Sequence, residues 1–268
     1  MCPKKRKTEE TSVGWRSIDV WSKDRYNGSS HNFSVRLVQK LAKVQAVKLA
    51  SAHIPALYNI DDTNNQITIT ESTPATFNVT LTNGGYSLTS GPTTLVSLIQ
   101  TALNAVTANT YTVTYDQNTY KITIARSAGA VTFQLNWSTN TKTQKIGTML
   151  GFGISDSAAG LTTSTAASVA DVSIDDLYLE ISDIGTSSSQ SAGSTVHWTY
   201  LLPLDQNTFQ TKNTLFYNTQ LISPFVDYAE PRTINHLKVV VKDKWGEIKD
   251  FQGAEWSFNL RFLVENDF

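Results

Sequence analysis

Three features of the sequence predict a mainly β chain, a β-sandwich interrupted by a small α+β insertion. Segments in which apolar and polar residues alternate at period two recur from Trp15 to Val264. Only one stretch, residues 93–106, carries convincing helical spacing. Charge is sparse in the middle third: from Thr63 to Ser155 only Glu71, Asp116, Lys121, Arg126, Lys142 and Lys145 are charged, against 17% of the whole chain. A surface of that kind suits contact rather than catalysis.

The elements follow in order. Residues 15–21 and 32–38 alternate as half-buried strands, joined by a polar turn around Asn27 and Gly28. Residues 43–55 read as a longer strand with apolar side chains on both faces, hence buried on both sides. Residues 65–70 and 76–81 are strands. A helix then begins at a Thr93 or Thr94 cap and lines up Leu95, Leu98, Ile99, Ala102, Leu103 and Val106 on one stripe, which requires a sheet to pack on. Residues 111–115 and 120–125 form a hairpin through Asp116–Thr119, and 131–137 a further strand. The Gly151-Phe-Gly153 run reads as a turn. The Ala/Ser/Thr-rich residues 157–170 and the Ser/Gly-rich residues 185–195 are expected to be weakly ordered. Strands resume at 176–181, 196–202, 234–241 and 256–264, the last two forming a long hairpin or meander around Trp245 and Gly253. If the first and last strands share a sheet, the intervening residues are an insertion.

Composition narrows the function. The 268 residues carry a net charge of −1, which excludes a body-wide basic field for nucleic acid. The single cysteine, Cys2, excludes an internal disulfide framework and a cysteine-based zinc site. No apolar run is long enough to span a bilayer, and the first residues are polar and basic rather than secretory. The sequons at Asn27, Asn32, Asn78 and Asn136 are chance matches in an Asn/Ser/Thr-rich chain.

Candidate chemistry is confined to a few places. Lys4, Lys5, Arg6 and Lys7 form a cationic cluster on a terminal arm without apolar periodicity. Three roles fit it: a nuclear import signal, a contact with packaged DNA, or a solvated tail. His31, His53, His197 and His236 lack metal-ligand spacing. Asp61, Asp62, Asp175, Asp176 and Asp227 are explained by turns and strand ends more economically than by a carboxylate site. No nucleophile elbow, phosphate-binding loop or dinucleotide fingerprint occurs. No enzyme activity, metal or cofactor is expected. Of the six tryptophans, most belong by default in the core, but Trp245 falls in a turn, where it serves either as an interface anchor or in local packing.

Several short motifs occur together in a recognisable order. They are Ser17-Ile-Asp19, the strand end from Ala52 to Ile60, Asn65-Gln-Ile-Thr-Ile69, Gly84-Gly-Tyr-Ser-Leu88, the capped helix, Val113-Thr-Tyr-Asp116, Lys121-Ile-Thr-Ile124, Leu150-Gly-Phe152 and the closing Phe251 to Phe258. The chain thereby resembles the penton-type minor capsid proteins of virophages, polinton-like viruses and related eukaryotic DNA viruses. The resemblance implies a single jelly-roll β-sandwich with an inserted α+β domain: a flexible basic arm over 1–13, the jelly roll over 14–61 and 172–268, and the insertion over 62–171. It further implies a homopentamer at the five-fold vertices of an icosahedral capsid, in contact with the major capsid protein. The arm adds the expectation of an import receptor or packaged DNA as partner and a passage through the host nucleus. The competing expectation is a receptor- or carbohydrate-binding fibre, spike or tail component.

Overall fold

The computed structural model describes residues 12–266, apart from 73, 74, 90, 92, 108, 129, 130, 174, 175, 186, 192, 193, 205–212 and 217–224. The chain divides into two compact units, one of residues 1–56 with 175–268 and one of residues 57–174. The expected insertion limits, 62 and 171, lie inside the second unit.

Among the described residues the first unit is built of strands, with one short 3-10 turn. Strand β1 (Ser12–Trp21) leads through a short 3-10 turn to β2 (Asn27–Ser29) and then to β3 (Asn32–Ile54). The two strands expected at 32–38 and 43–55 are thus one strand. If straight, β3 would separate Phe33 from His53 by roughly 66 Å. Yet Ser257 is paired with His53, while its neighbour Trp256 packs edge-on against Phe33 at 6.2 Å and donates from Nε1 to the Ser30 carbonyl. The strand therefore curls back over itself. Lys43, at φ 54, sits midway along it, and register shifts in its neighbours surround this position. Bulges of this kind bend a strand and raise its twist. The curled sheet encloses a core of Phe33, Val47, Leu49, Leu237, Val239, Phe258 and Phe262.

The second unit begins with β4 (Gln66–Glu71) and β5 (Ala75–Thr80), followed by α1 (Leu95–Val106). Thr94 caps α1 by accepting from the Ser97 N–H, and the expected stripe puts Leu95, Ile99 and Leu103 fully inside. The predicted hairpin is β6 (Thr110–Asp116) with β7 (Lys121–Ala128). The strand expected at 131–137 is shorter, β8 (Phe133–Leu135), because Trp137 turns into a 3-10 segment and packs inward. β8 pairs with β4, and β4 with β5, to give one small sheet.

A second helix, α2 (Thr141–Met149), corrects the expectation of only one. Its buried residues are Thr143, Lys145, Ile146 and Gly147, so it has almost no apolar stripe to detect. It is held instead by a capping box. Asn140 Oδ1 accepts from the Thr143 N–H at 3.0 Å, while the Asn140 N–H donates to Thr143 Oγ1 at 3.1 Å. Trp137 and the Gly153 carbonyl press on it so closely that a Cβ at Gly147 would lie 2.4 Å from that carbonyl oxygen.

The Ala/Ser/Thr-rich stretch is likewise corrected, since it is a belt rather than a weakly ordered segment. It contains β9 (Thr163–Thr165), paired with β7. Its backbone N–H groups at Ser157, Leu161, Ala166, Ser168 and Ala170 donate to the carbonyls of Leu135, Phe133, Ile122, Gly151 and Tyr120. Small side chains permit this close approach of backbone to backbone. Gly151 and Gly153, both at φ 85, make the turn the sequence predicts.

The remaining strands return to the first unit: β10 (Leu177–Ile181), β11 (Ser187–Ser191), β12 (Ser194–Trp198), β13 (Tyr200–Leu202), β14 (Asn213–Phe216), β15 (Val226–Lys242) and β16 (Ser257–Asn266). The Ser/Gly-rich stretch read as a loop is the β11–β12 hairpin. Among the described residues the main sheet has eight strands in the order β1-β16-β3-β15-β10-β13, with β2 and β14 also on β3. β15 and β16 are therefore not a hairpin. The long β3 lies between them and pairs with each.

Candidate functional site

Alternation along β1 divides its side chains into two sets. Val20, 2% exposed, and the part-buried Ile18 point to the core. Val13, Trp15 and Trp21, on the opposite face, are 50%, 46% and 43% exposed. Between the tryptophans Ser17 Oγ donates to Asn259 Oδ1 at 2.9 Å, and Asn259 Nδ2 donates to Asp19 Oδ1 at 2.7 Å. These bonds tie β1 to β16 along its outer face.

Register then brings β3 onto the same face. Ser17 is opposite Arg261, and Arg261 is opposite Lys48. One row along, Trp15 is opposite Leu263. The Lys48 ammonium lies 4.9 Å from the centre of the Trp15 ring and 5.0 Å from that of Phe225. The two rings are 5.8 Å apart, and Phe225 is itself exposed. At the other end of β1, Lys23 sits 4.5 Å over the Trp21 ring. Among the described residues, neither Lys48 nor Arg261 has a carboxylate partner. The result is a sheet face with exposed aromatic rings at both ends and, between them, two cations without an ion-pair partner among the described residues.

On the other side of β1, Ile18 and Val20 with Val35, Leu37 and Leu41 from the first half of β3 line an open groove of about 580 Å³, which Arg16 and Asp19 also border. Among the described residues, β1 pairs only with β16, so its outer edge has no strand beside it.

Trp245 lies in a tight turn closed by the Asp243 N–H donating to the Glu247 carbonyl and by the Lys242–Ile248 bridge. Asp243 Oδ1 accepts from the N–H groups of Trp245 and Glu247, both at 2.9 Å. The ring is half-buried, with the Lys244 ammonium 5.9 Å from its centre. It is not part of the β1 face. Lys4, Lys5, Arg6 and Lys7 lie outside the described residues.

Several of the other candidates take structural roles, while Asp175 and the His197 side chain lie outside what the structure describes. Asp61 is buried and accepts from the Thr63 N–H and hydroxyl, an Asx turn. His31 packs on Phe251 and pairs with Asp250, and His236 pairs with Asp183. Among the described residues no three His, Cys, Asp or Glu side chains converge as a metal site, and no helix is long and apolar enough to cross a membrane. Trp137 and Trp256 are core residues as expected, but Trp15 and Trp21 are not. Ile18 and Val20 share the face of β1 opposite both tryptophans, so both faces of the strand carry apolar residues and its alternation does not say which one turns inward.

No protein-family model and no curated protein matches the sequence. Among solved structures, the chain is similar to the penton protein of mavirus, known from a selenomethionine-labelled crystal. The identity is 11% and the TM-score 0.49, over 94% of this chain and 100% of that one.

Proposed function

We propose that this chain is a structural protein of a virion, and more narrowly a penton capsomer that closes the five-fold vertices of an icosahedral capsid. The observation that carries the assembly role is the outer face of β1, where Val13, Trp15, Trp21 and Phe225 stand outside any core. Aromatic residues and arginine are the groups that dominate protein–protein contacts, and a folded unit that served no partner would gain by burying them. The motif resemblance supplies the class of assembly. Closure of a ring needs a rigid heterologous contact, with one patch of each copy meeting a different patch on the next, and a curled sheet built on one continuous strand provides a stiff body for it.

Native mass measurement on the purified chain tests the reading. A pentamer is expected, with Trp15→Ser and Trp21→Ser together weakening it while leaving the thermal transition cooperative. A stable monomer would overturn it, and a trimer would point to a fibre or spike instead. The basic arm is proposed to act before or during assembly, as an import signal or a genome contact. Replacing Lys4, Lys5, Arg6 and Lys7 by alanine in a fusion too large for passive entry should abolish nuclear accumulation. If accumulation persists, duplex DNA binding that falls steeply with salt is the remaining signature.

A further inference from the structure

We infer that the Lys48–Arg261 face of the curled sheet is a docking site for an acidic segment of a partner protein, with carboxylates flanked by aliphatic side chains. This deepens the assembly reading, and rests on it for the partner being a neighbouring virion protein. The starting point is an electrostatic anomaly. Arg261 and Lys48 are directly opposite in register on adjacent strands, and like charges so placed are destabilising. A sheet normally relieves such a pair with a carboxylate from a neighbouring strand. Here the third residue in the row on the β1 side is Ser17. On the β15 side Asp227, opposite Ala46 and so two residues along β3 from Lys48, makes no ion pair with it. The nearby Asp19 is already engaged by Asn259, and neither cation is ion-paired among the described residues.

The surroundings specify what the missing anion is attached to. Trp15, Phe225 and Leu263 frame the cations, so an occupant must present apolar groups beside its charge. The Lys48 ammonium lies over the rings of both Trp15 and Phe225. A group stacking on the ring faces that it covers would have to displace it. A sugar ring stacks flat on an aromatic face, whereas a carboxylate side chain with an aliphatic neighbour needs only a cation and an apolar edge. A guanidinium also offers the planar fork that matches a carboxylate. Charge complementarity therefore favours an acidic peptide over an anionic glycan.

The test uses the full chain and a fluorescein-labelled peptide of alternating Leu, Glu and Asp residues, with its Gln/Asn counterpart as control and heparin as competitor. The acidic peptide is expected to bind, its Gln/Asn counterpart not, and binding is expected to weaken as salt rises. Lys48→Gln with Arg261→Gln should weaken it about tenfold, while Lys142→Gln, which removes an exposed cation in the other unit, should not. The thermal midpoint of the double variant should be unchanged or raised, because the opposed cations are gone. Absence of peptide binding, or equal loss in the Lys142→Gln control, overturns the inference. So does a Lys48- and Arg261-dependent affinity for heparin but not for the peptide. Native mass of the unmodified protein judges the assembly reading separately, so either can fail while the other stands.

Discussion

At the scale of single residues, buried polar groups supply the sharpest tests. Glu71 is 1% exposed, and its Oε1 accepts from the Asn109 N–H at 3.2 Å, from Asn109 Nδ2 at 2.7 Å and from the Tyr111 hydroxyl at 2.9 Å. Burial, and then the hydrogen bond donated to the Glu71 carboxylate, push the Tyr111 hydroxyl well above the usual phenol range. Removing the carboxylate strands three buried donors at once. Glu71→Ala should cost about 3 kcal/mol or more in urea unfolding, and Tyr111→Phe only about 1 kcal/mol. Ser22 offers a test in pH. Its hydroxyl donates to Glu255 and accepts from the Trp256 N–H at 2.9 Å. That hydroxyl first, and Arg25 second, hold the Glu255 carboxyl below its ordinary 4.5. Folding therefore favours the ionised form, and the stabilisation is complete above that value and lost as pH falls through the lower folded pKa. Ser22→Ala should cost about 1–2 kcal/mol at neutral pH, and its gap from the unmodified protein should narrow as denaturation is repeated at increasingly acid pH. Neither network is legible in the sequence, because Glu71 and Asn109, like Ser22 and Glu255, are far apart in the chain.

At the scale of elements, the long strand and the hidden helix carry the argument. β3 bends where Lys43 takes a left-handed backbone conformation, which costs a side chain with a Cβ about 1–2 kcal/mol. Lys43→Gly should recover up to about 1 kcal/mol in thermal or urea unfolding, and Lys43→Val should lose stability, since a β-branched residue tolerates that conformation least. α2 depends on its cap. Asn140→Ala should cost about 1 kcal/mol, with a further loss from the bond of Asn140 Nδ2 to Gln66 Oε1 at 2.7 Å. α1 was legible because Leu95, Ile99 and Leu103 repeat on one stripe. α2 was not, because tertiary contact with Trp137 replaces that stripe.

At the scale of the whole molecule, the inserted unit has its own core. Ile67, Ile69, Leu95, Ile99, Tyr111, Ile124, Phe133 and Trp137 are fully buried in one cluster. Its two ends are joined within the unit: Asn59 Nδ2 donates to the Tyr86 carbonyl at 2.8 Å and to the Val172 carbonyl at 3.0 Å, and Asn59 Oδ1 accepts from the Tyr86 N–H at 2.9 Å. We expect residues 57–174, expressed alone, to unfold cooperatively in urea, and Asn59→Ala in that fragment to cost about 2 kcal/mol. A non-cooperative fragment would show that the unit borrows stability from the rest of the chain. The segment at 157–170, expected to be weakly ordered, is instead bonded through its backbone to the rest of the unit.

Local patterning alone determined the mainly β class, the positions of most strands, the capped α1 and the β6–β7 hairpin, because period and capping act over a few neighbouring residues. It did not determine which face of a strand turns inward. On β1 both faces carry apolar residues, and only the curl of β3 assigns Ile18 and Val20 to the core and Trp15 and Trp21 to the surface. Nor could it place β3 between β15 and β16, or set Lys48 against Arg261, since strand order and register arise from packing between segments some two hundred residues apart. The candidate surface exists only once those distant strands are paired, which is why the sequence pointed to Trp245 and the tertiary structure to the outer face of β1.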